Sequence, residues 1–450
     1  MTKNTDTPFK SMPSRAITAA ANWLRPVTSH GDEAAILIRL YGAESTAEQT
    51  RATIDTAFVI DRSGSMSGGP LELAKQAVDH ACGHLNDQDR GAVVVFDDSV
   101  EVIHEIAKMS PAAKQALRAA LTQVLPGGST YLAGGWQAGA EQIAHARPMA
   151  DQDARPQRVI LLSDGHANVG MSDPAGLSPI VAGLRRRGIL TTTIGVGEGY
   201  DHVLMGAMAE AGGGNHYFVS DTSDLKKVFE QELQEALNVV ARGTTLTFTV
   251  PEGVRAYPQT GFPANRVGKT WTIEIGDIPA GDAMDIVFVL TIEKGFKGSE
   301  YAVSSTINWT SASDGTIDSD SPKIAAIRVG TPEEVEASPM DPLVAERTAI
   351  QRAAVARRQA LEHHRAGRYQ EATASMDDAM MLFDLAPASD EVNFERRLYH
   401  DTKAGLAGPM SSRDLKSAYQ LDAEARRGRS ASKSRGPRRD PNAKPNDKQQ

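Results

Sequence analysis

The stretch TIDTAFVIDRSGSMSGGP, residues 53–70, decides the fold class of this chain. Its first part, Ile54–Ile60, is short, apolar and rich in β-branched residues, as strands buried on both faces of a sheet are. Its second part is a turn of Asp, Ser and Gly that leads into an apolar helical pattern from Leu71. A buried strand that passes through a polar turn into a helix predicts an alternating α/β fold.

The same alternation continues to about residue 242. Further strands are predicted at Ala92–Phe96, Val100–Ile106, Arg158–Leu162, Leu190–Val196 and His216–Val219. Helices are predicted at Leu71–Leu85, Ala112–Val124, Ala133–Ala146, Pro179–Arg187, Val203–Ala211 and Ser223–Val240. The tight turn Asp97-Asp98-Ser99 joins two strands without a helix, so we expect an antiparallel hairpin at one edge of the sheet. The pattern predicts a doubly wound, mostly parallel, Rossmann-like α/β sheet over residues 51–242.

Residues beyond this unit are predicted to form strands without helices. TLTFTV, TWTIEI, MDIVFVLTI, YAVSSTINW and KIAAIRV follow one another from Thr244, which predicts an antiparallel β-sandwich over residues 243–330. The apolar run Ala35–Tyr41 has no place in the α/β pattern and would otherwise be an unpaired edge. We therefore expect residues 34–45 to join the sandwich, which makes the α/β unit an insertion within one β domain.

The two ends of the chain differ from these units. Residues 1–33 show no clear period and are expected to be loosely ordered. Residues 341–425 predict a helical hairpin region, with helices beginning after the cap Asp341, near Tyr369 and near Asp390. Residues 426–450 contain nine Lys/Arg and two Asp/Glu, which predicts a disordered basic tail.

Charge and composition exclude some classes of function. The formal net charge of −9 gives no reason to expect a nucleic-acid partner, although the basic tail leaves that alternative open. No apolar stretch reaches the ~18–20 residues of a membrane span, and the N-terminus lacks the pattern of a signal peptide, so we expect a cytoplasmic protein.

The single cysteine, Cys82, cannot form an internal disulfide or a cysteine-based zinc site. The eleven histidines are interpreted as having no metal-ligand spacing.

Hydroxyls and carboxylates gather where the predicted parallel strands end. Asp61, Ser63 and Ser65 form Asp-x-Ser-x-Ser after the first strand, Thr130 lies in Gly-Gly-Ser-Thr before a helix, and Asp164 follows a strand in Ser-Asp-Gly. Because the carboxyl ends of parallel strands meet at one edge of a sheet, we expect these side chains to converge. Their chemistry predicts a hard cation with oxygen ligands. Since Asp61 and Thr130 are expected on exposed surface turns, we expect replacing either by Ala to change stability little.

These three motifs, in their order and spacing, resemble the von Willebrand factor A-type domain family, specifically members with an intact metal-ion-dependent adhesion site. The resemblance covers about Arg51–Arg242. It implies direct metal binding by Ser63 and Ser65, direct or water-mediated binding by Thr130, and mostly water-mediated binding by Asp61 and Asp164. It further implies Mg²⁺ or Mn²⁺ as the cofactor, a Glu or Asp of a partner protein at its open position, and a shift of the final helix, Ser223–Val240, on binding.

The whole chain also resembles bacterial proteins described as homologues of calcium-activated chloride channels and, more distantly, inter-alpha-trypsin inhibitor heavy chains. A channel is not expected because no membrane span is predicted. The sequence favours a metal-dependent adaptor or regulator that is not an enzyme and takes no small-molecule substrate. A metal-dependent hydrolase and an inert scaffold with a vestigial metal site remain the alternatives. Gly64–Gly68 is only superficially like a nucleophile elbow, because its central residue is Met66 rather than Ser.

Overall fold

The chain begins in a β-sandwich, passes through an α/β unit, returns to the sandwich and ends in helices. The computed structural model describes residues 15–44, 53–146, 155–293 and 295–426. The first strands are β1 (Ile17–Trp23), β2 (Val27–Thr28) and β3 (Glu33–Gly42). The strands of the α/β unit are β4 (Asp55–Asp61), β5 (Arg90–Phe96), β6 (Val100–Lys108), β7 (Gln157–Ser163), β8 (Ile189–Val196) and β9 (Gly213–Val219). Its helices are α1 (Gly69–His84), α2 (Pro111–Gln123), α3 (Leu132–His145), α4 (Pro174–Arg185), α5 (His202–Gly212) and α6 (Leu225–Leu237).

The α/β sheet has the strand order β6-β5-β4-β7-β8-β9. All neighbours are parallel except β5 and β6, which form the predicted antiparallel edge hairpin. Along the central strand β4, Phe58 and Ile60 pack with α1, α2 and α6, whereas Ala57 and Val59 pack with α3, α4 and α5. Burial on both faces confirms the doubly wound sheet and leaves its carboxyl edge as the surface on which loops gather.

Helix α4 corrects one predicted boundary. The sequence prediction began this helix at Pro179, but the helix begins at Pro174 and Pro179 lies inside it. The carboxylate of Asp173 caps the helix by accepting a hydrogen bond of 2.7 Å from the Gly176 N–H. An aspartate cap followed by proline at the first position is a stronger start signal than the second proline alone.

The later strands are β10 (Val239–Thr249), β11 (Val254–Gln259), β12 (Ala264–Val267), β13 (Thr270–Pro279), β14 (Ala283–Ile292), β15 (Glu300–Tyr301), β16 (Ser304–Ser311), β17 (Ile317–Asp320) and β18 (Ile327–Val329). One sandwich sheet has the order β1-β3-β14-β11 and the other β12-β13-β10-β16-β17. Phe248 and Phe288 stack between the sheets with ring centroids 4.1 Å apart. Strand β3 lies between β1 and β14, so the predicted pairing of Ala35–Tyr41 with the later strands is present.

The expectation that residues 1–33 are loosely ordered is wrong for its described part. Strand β1 pairs antiparallel with β3 from Ile17 opposite Gly42 to Trp23 opposite Ile36, and Ile17 is fully buried. The run ITAAANW has three alanines in place of β-branched residues, so its local propensity is weak and the partner strand decides its conformation. Residues 1–14 lie outside the described residues.

The C-terminal helices are α7 (Pro332–Ala337), α8 (Pro342–Arg365), α9 (Tyr369–Leu385), α10 (Asp390–Leu406) and α11 (Ser412–Arg426). Helix α8 lies on the sandwich, where the Gln351 amide donates to Asp285 O at 2.6 Å and accepts from Val287 N at 3.1 Å. Helix α11 instead reaches the α/β unit, where Lys416 Nζ donates to Glu198 O at 2.5 Å. Among the described residues, no helix has the length and apolar character needed to cross a bilayer. The predicted disordered tail, apart from Arg426, falls outside them.

Candidate metal centre

Three loops meet at the carboxyl edge of the α/β sheet and are joined through their backbones. The Gly64 N–H donates to Gly128 O at 2.9 Å, and the Gly127 N–H donates to Arg62 O at 2.7 Å. The Asn168 N–H donates to Thr130 O at 3.2 Å, which joins the third loop to the second. These bonds fix the loops relative to one another, so the side chains they carry are held in place by the fold itself.

Asp61 is the most deeply placed of the predicted ligands. It ends the central strand β4 and is fully buried. Its Oδ1 accepts a hydrogen bond of 2.8 Å from the Ser63 N–H, and its Oδ2 accepts one from the Ser163 hydroxyl. Burial raises the pKa of Asp61 to about 6, against the opposing effect of these hydrogen bonds. Because water cannot solvate a buried carboxylate, a nearby cation would stabilise its charged form.

A chain of hydroxyls connects Asp61 with Asp164. Ser63 Oγ lies 3.2 Å from Ser65 Oγ, and Ser65 Oγ donates a hydrogen bond of 2.6 Å to Asp164 Oδ1. Ser63 is buried, Asp164 is half-buried and Ser65 is exposed, so the group rises from the sheet edge to the surface. Burial also raises the pKa of Asp164.

Gly165 leaves a small space among these oxygens. A side-chain carbon at this position would stand 3.1 Å from Thr130 Oγ1, 3.4 Å from Ser65 Oγ and 3.8 Å from Asp61 Oδ2. Any residue larger than glycine would therefore fill the point toward which the oxygens face. The fold thus brings oxygens of Thr130, Ser65 and Asp61 around this space, and Ser63 and Asp164 join them through their contacts with Ser65. Hydroxyl and carboxylate oxygens are a donor set that suits a hard divalent cation.

Several residues that support this group were given no role by the sequence. Ser163 holds Asp61 in place, and Asn168 Oδ1 accepts a hydrogen bond of 2.8 Å from the Thr130 N–H. Asp97 pairs with Arg62 at 3.3 Å, and its carbonyl accepts from the Tyr131 N–H at 2.6 Å. Ser163 was visible inside the Ser-Asp-Gly motif, but Asn168 and Asp97 carry no local signal because their partners come from other loops.

The expectation that these residues lie on exposed turns is wrong for two of them. Asp61 and Thr130 have exposed fractions of 0% and 4%. Replacing Asp61 by Ala would leave the Ser163 hydroxyl and the Ser63 N–H without their acceptor, and an orphaned buried group costs about 1–3 kcal/mol. His166, two residues after Asp164, is exposed and faces Asp201, with 3.8 Å between Nδ1 and Oδ2.

Comparison with known proteins agrees with the fold of the α/β unit. Residues 55–231 match the family profile of the von Willebrand factor type A domain. The uncharacterized protein YfbK of Escherichia coli is 26% identical over 276 residues, which cover 60% of this chain and 47% of YfbK. Human inter-alpha-trypsin inhibitor heavy chain H3 is 26% identical over 199 residues, which cover 43% of this chain and 22% of H3. The chain thus spans about half the length of YfbK and less of H3.

A solved structure resembles the whole described fold. It is a von Willebrand factor type A protein from Catenulispora acidiphila, with a TM-score of 0.69, 19% identity, and coverage of 93% of this chain and 98% of that one. At this identity the likeness shows the fold, including the sheets and helices outside residues 55–231, and does not transfer a function.

Proposed function

Because this chain contains a von Willebrand factor type A domain, at residues 55–231, we propose that it binds a protein partner through a divalent cation. The proposed ligands are Asp61, Ser63, Ser65, Thr130 and Asp164. The observation that carries the proposal is the open space at Gly165. Oxygens of Thr130, Ser65 and Asp61 lie within 3.8 Å of the position that a Cβ atom of residue 165 would take.

The ligand chemistry favours Mg²⁺ or Mn²⁺. Every proposed ligand offers oxygen, and hard cations prefer such sites over thiolate or imidazole. Ser63 and Ser65 would bind directly, Thr130 directly or through water, and the two carboxylates mostly through water. Hydroxyls are neutral, so the residues nearest the cation leave much of its charge uncompensated. When bound, the cation would supply an open coordination position for a carboxylate of the partner.

The surroundings of the serines favour binding over catalysis. A nucleophilic serine needs an adjacent base, usually imidazole, to take its proton. The contacts of Ser65 Oγ are instead the Ser63 hydroxyl at 3.2 Å and the Asp164 carboxylate at 2.6 Å. We therefore infer that the chain acts as an adaptor or regulator that captures an Asp or Glu side chain and catalyses no reaction itself.

Calorimetry and affinity capture on the whole chain test this proposal together. Titration should show one Mg²⁺ or Mn²⁺ bound in the millimolar range or tighter. Partners captured in Mg²⁺ should be lost in EDTA and with Thr130→Ala. The matched control is Ser129→Ala, which alters an exposed hydroxyl of the same loop and should keep both cation and partner. Capture that is unchanged in EDTA, or the absence of cation binding, would refute the proposal.

A further inference from the structure

A second group of metal-ligating side chains lies away from the sheet edge, where α1 packs beside α6. His80 Nε2 is 3.3 Å from His84 Nε2 and 3.9 Å from Glu230 Oε2. The three donor atoms all lie within 4.8 Å of one another. The interpretation that the histidines have no ligand spacing is wrong here, because residues four apart lie on the same face of a helix.

The two imidazole nitrogens lie at hydrogen-bond distance, and the same distance suits two ligands that share one ion. Nitrogens bound to a tetrahedral zinc at about 2.0–2.1 Å stand about 3.3–3.4 Å apart. His80 and His84 match this with 3.3 Å, and their rings meet nearly edge to face at 81° rather than stacking. Glu230 is further away, at 3.9 Å from His80 Nε2 and within 4.8 Å of the His84 donor atom, but its side chain is 48% exposed and can approach by a change of rotamer.

The position on α1 also favours a cation. His84 is the last residue of α1, and the carboxyl end of a helix carries a partial negative charge. Cys82, between the two histidines, is buried in the core beneath α1 and is not a candidate ligand. Asp79 pairs with Arg118 at 2.9 Å. Glu230 therefore supplies the negative charge that is directed at the two imidazoles.

We propose that His80, His84 and Glu230 bind a zinc ion or a similar borderline divalent cation, with water completing the coordination. Two imidazoles and one carboxylate suit such ions, whereas Mg²⁺ and Mn²⁺ suit oxygen ligands. The bound ion joins α1 to α6 and so clamps the last helix of the α/β unit. Asn238 alone separates α6 from β10, so the clamp also fixes the beginning of the sandwich strand.

Zinc titration of the whole, tag-free chain in saturating Mg²⁺ tests the site independently of the oxygen cluster. The wild type should bind one zinc ion, and H80Q/H84Q should weaken that binding by about 100-fold or more. E230Q should weaken it by about tenfold, because it keeps both imidazoles. The matched control is H145Q, which alters another exposed histidine in the last turn of a helix, α3, and should bind zinc as the wild type does.

Thermal melting and cobalt substitution complete the test. Zinc should raise the melting temperature of the wild type and H145Q, since a ligand that binds only the folded state stabilises it. The melting temperature of H80Q/H84Q should not respond. Cobalt(II) should give the intense visible absorption of a tetrahedral site in the wild type and should not give it in H80Q/H84Q. Equal zinc affinity in the wild type and H80Q/H84Q, or no zinc binding by the wild type, would overturn the proposal.

Discussion

The oxygen cluster at the sheet edge and the imidazole cluster beside α6 both gather side chains that can bind a cation, but the fold positions the two groups differently. In the first, the end of β4 and the neighbouring loops contribute the side chains, Asp61 is fully buried, and backbone hydrogen bonds join the loops. In the second, the turn of α1 spaces His80 and His84, and the side chains of His80 and Glu230 are 40% and 48% exposed. The difference indicates that a buried carboxylate such as Asp61 needs a hydrogen-bond network around it. The partly exposed pair His80 and His84 is placed by one helix, and the packing of α6 adds Glu230.

The largest expected effect is a loss of stability when the buried Glu232 of α6 is replaced, compared with replacement of the half-exposed Glu230 on the same helix. Glu232 is fully buried, where it pairs with Arg158, accepts from Thr192 Oγ1 at 2.6 Å and accepts from the Tyr217 hydroxyl at 3.0 Å. Glu232→Ala should lower the free energy of unfolding by about 3–5 kcal/mol, because it leaves a buried guanidinium unpaired. Urea denaturation measures this change.

Glu230→Ala, two residues earlier, provides the matched control. Its side chain is 48% exposed, so without zinc the stability should change by no more than about 0.5 kcal/mol. A loss below about 1 kcal/mol for Glu232→Ala would mean that α6 is not held to the sheet by this ion pair. The burial of Phe229 and Leu233 in the core would then be what holds α6 to the sheet.

The second prediction separates the charge of Asp61 from its hydrogen bonds. Asp61→Asn keeps an acceptor for the Ser63 N–H but removes the charge, so Mn²⁺ affinity should fall by roughly 100-fold while the fold is retained. Asp61→Ala should lose the cation and also about 1–3 kcal/mol of stability, since Ser63 and Ser163 lose their acceptor. Calorimetry and denaturation measure the two effects. Equal stability of both variants would contradict the supporting role assigned to Asp61.

Sequence reasoning predicted that the oxygen-bearing side chains converge, because they sit in short motifs after two strands and before one helix. It missed the imidazole cluster although the four-residue spacing of His80 and His84 was visible in the predicted helix. The third member, Glu230, lies far along the chain, and only the packing of α6 against α1 brings it near. Strand β1 was missed for a related reason. Its alanine-rich sequence has weak propensity, and its pairing with β3 supplies what local residues do not.

The predicted linker between the α/β unit and the sandwich shows the same limit. The predicted helix Ser223–Val240 and the predicted strand from Thr244 left residues 241–243 between them as a linker, but α6 ends at Leu237 and β10 already begins at Val239. Register shifts between Val239 and Thr245 accommodate the transition within the strand itself. Such irregularities depend on the neighbouring strands, so hydrophobic periodicity along one segment does not reveal them.

The third prediction is a pH dependence of cation binding at the oxygen cluster. The pKa of Asp61 is raised to about 6, above its usual value, so in the metal-free protein its contribution to stability is present at low pH and is lost as pH rises through about 6. Proton and cation compete for the same carboxylate. Mn²⁺ affinity should therefore fall about tenfold for each pH unit below 6. Titrations between pH 5 and pH 7 at about 0.1 M salt measure it.

Asp61→Asn is the control for this pH dependence. Its residual affinity should vary less with pH, since the titrating carboxylate at position 61 is gone. The slope that remains would report Asp164, whose pKa is also raised by burial. A wild-type affinity that is constant from pH 7 to pH 5 would show that Asp61 does not approach the cation in its charged form.

The smallest expected effect is a displacement of the helical region when a partner binds the cation. Helix α6 continues through Asn238 into β10, and the Ala280 N–H donates to Asn238 O at 2.8 Å, so little chain is free to absorb a movement of α6. Lys416 nevertheless ties α11 to Glu198 of the α/β unit. We therefore expect a shift of at most about one helical turn, ~5 Å, between spin labels at Gln115 and Gln359.

Two comparisons decide whether that shift is real and whether the second cluster controls it. Labels at Gln115 and Gln137, both exposed within the α/β unit, should keep their distance when partner is added in Mg²⁺. Zinc should reduce the shift between Gln115 and Gln359 if it clamps α6 onto α1, and H80Q/H84Q should restore the shift in zinc. A ligand moves such an equilibrium only when it binds the two states with different affinity. If the distances between Gln115 and Gln359 do not change while partner binding is verified in the same sample, the oxygen cluster is a passive clamp. If the distances change equally with and without zinc, the hinge lies elsewhere than α6.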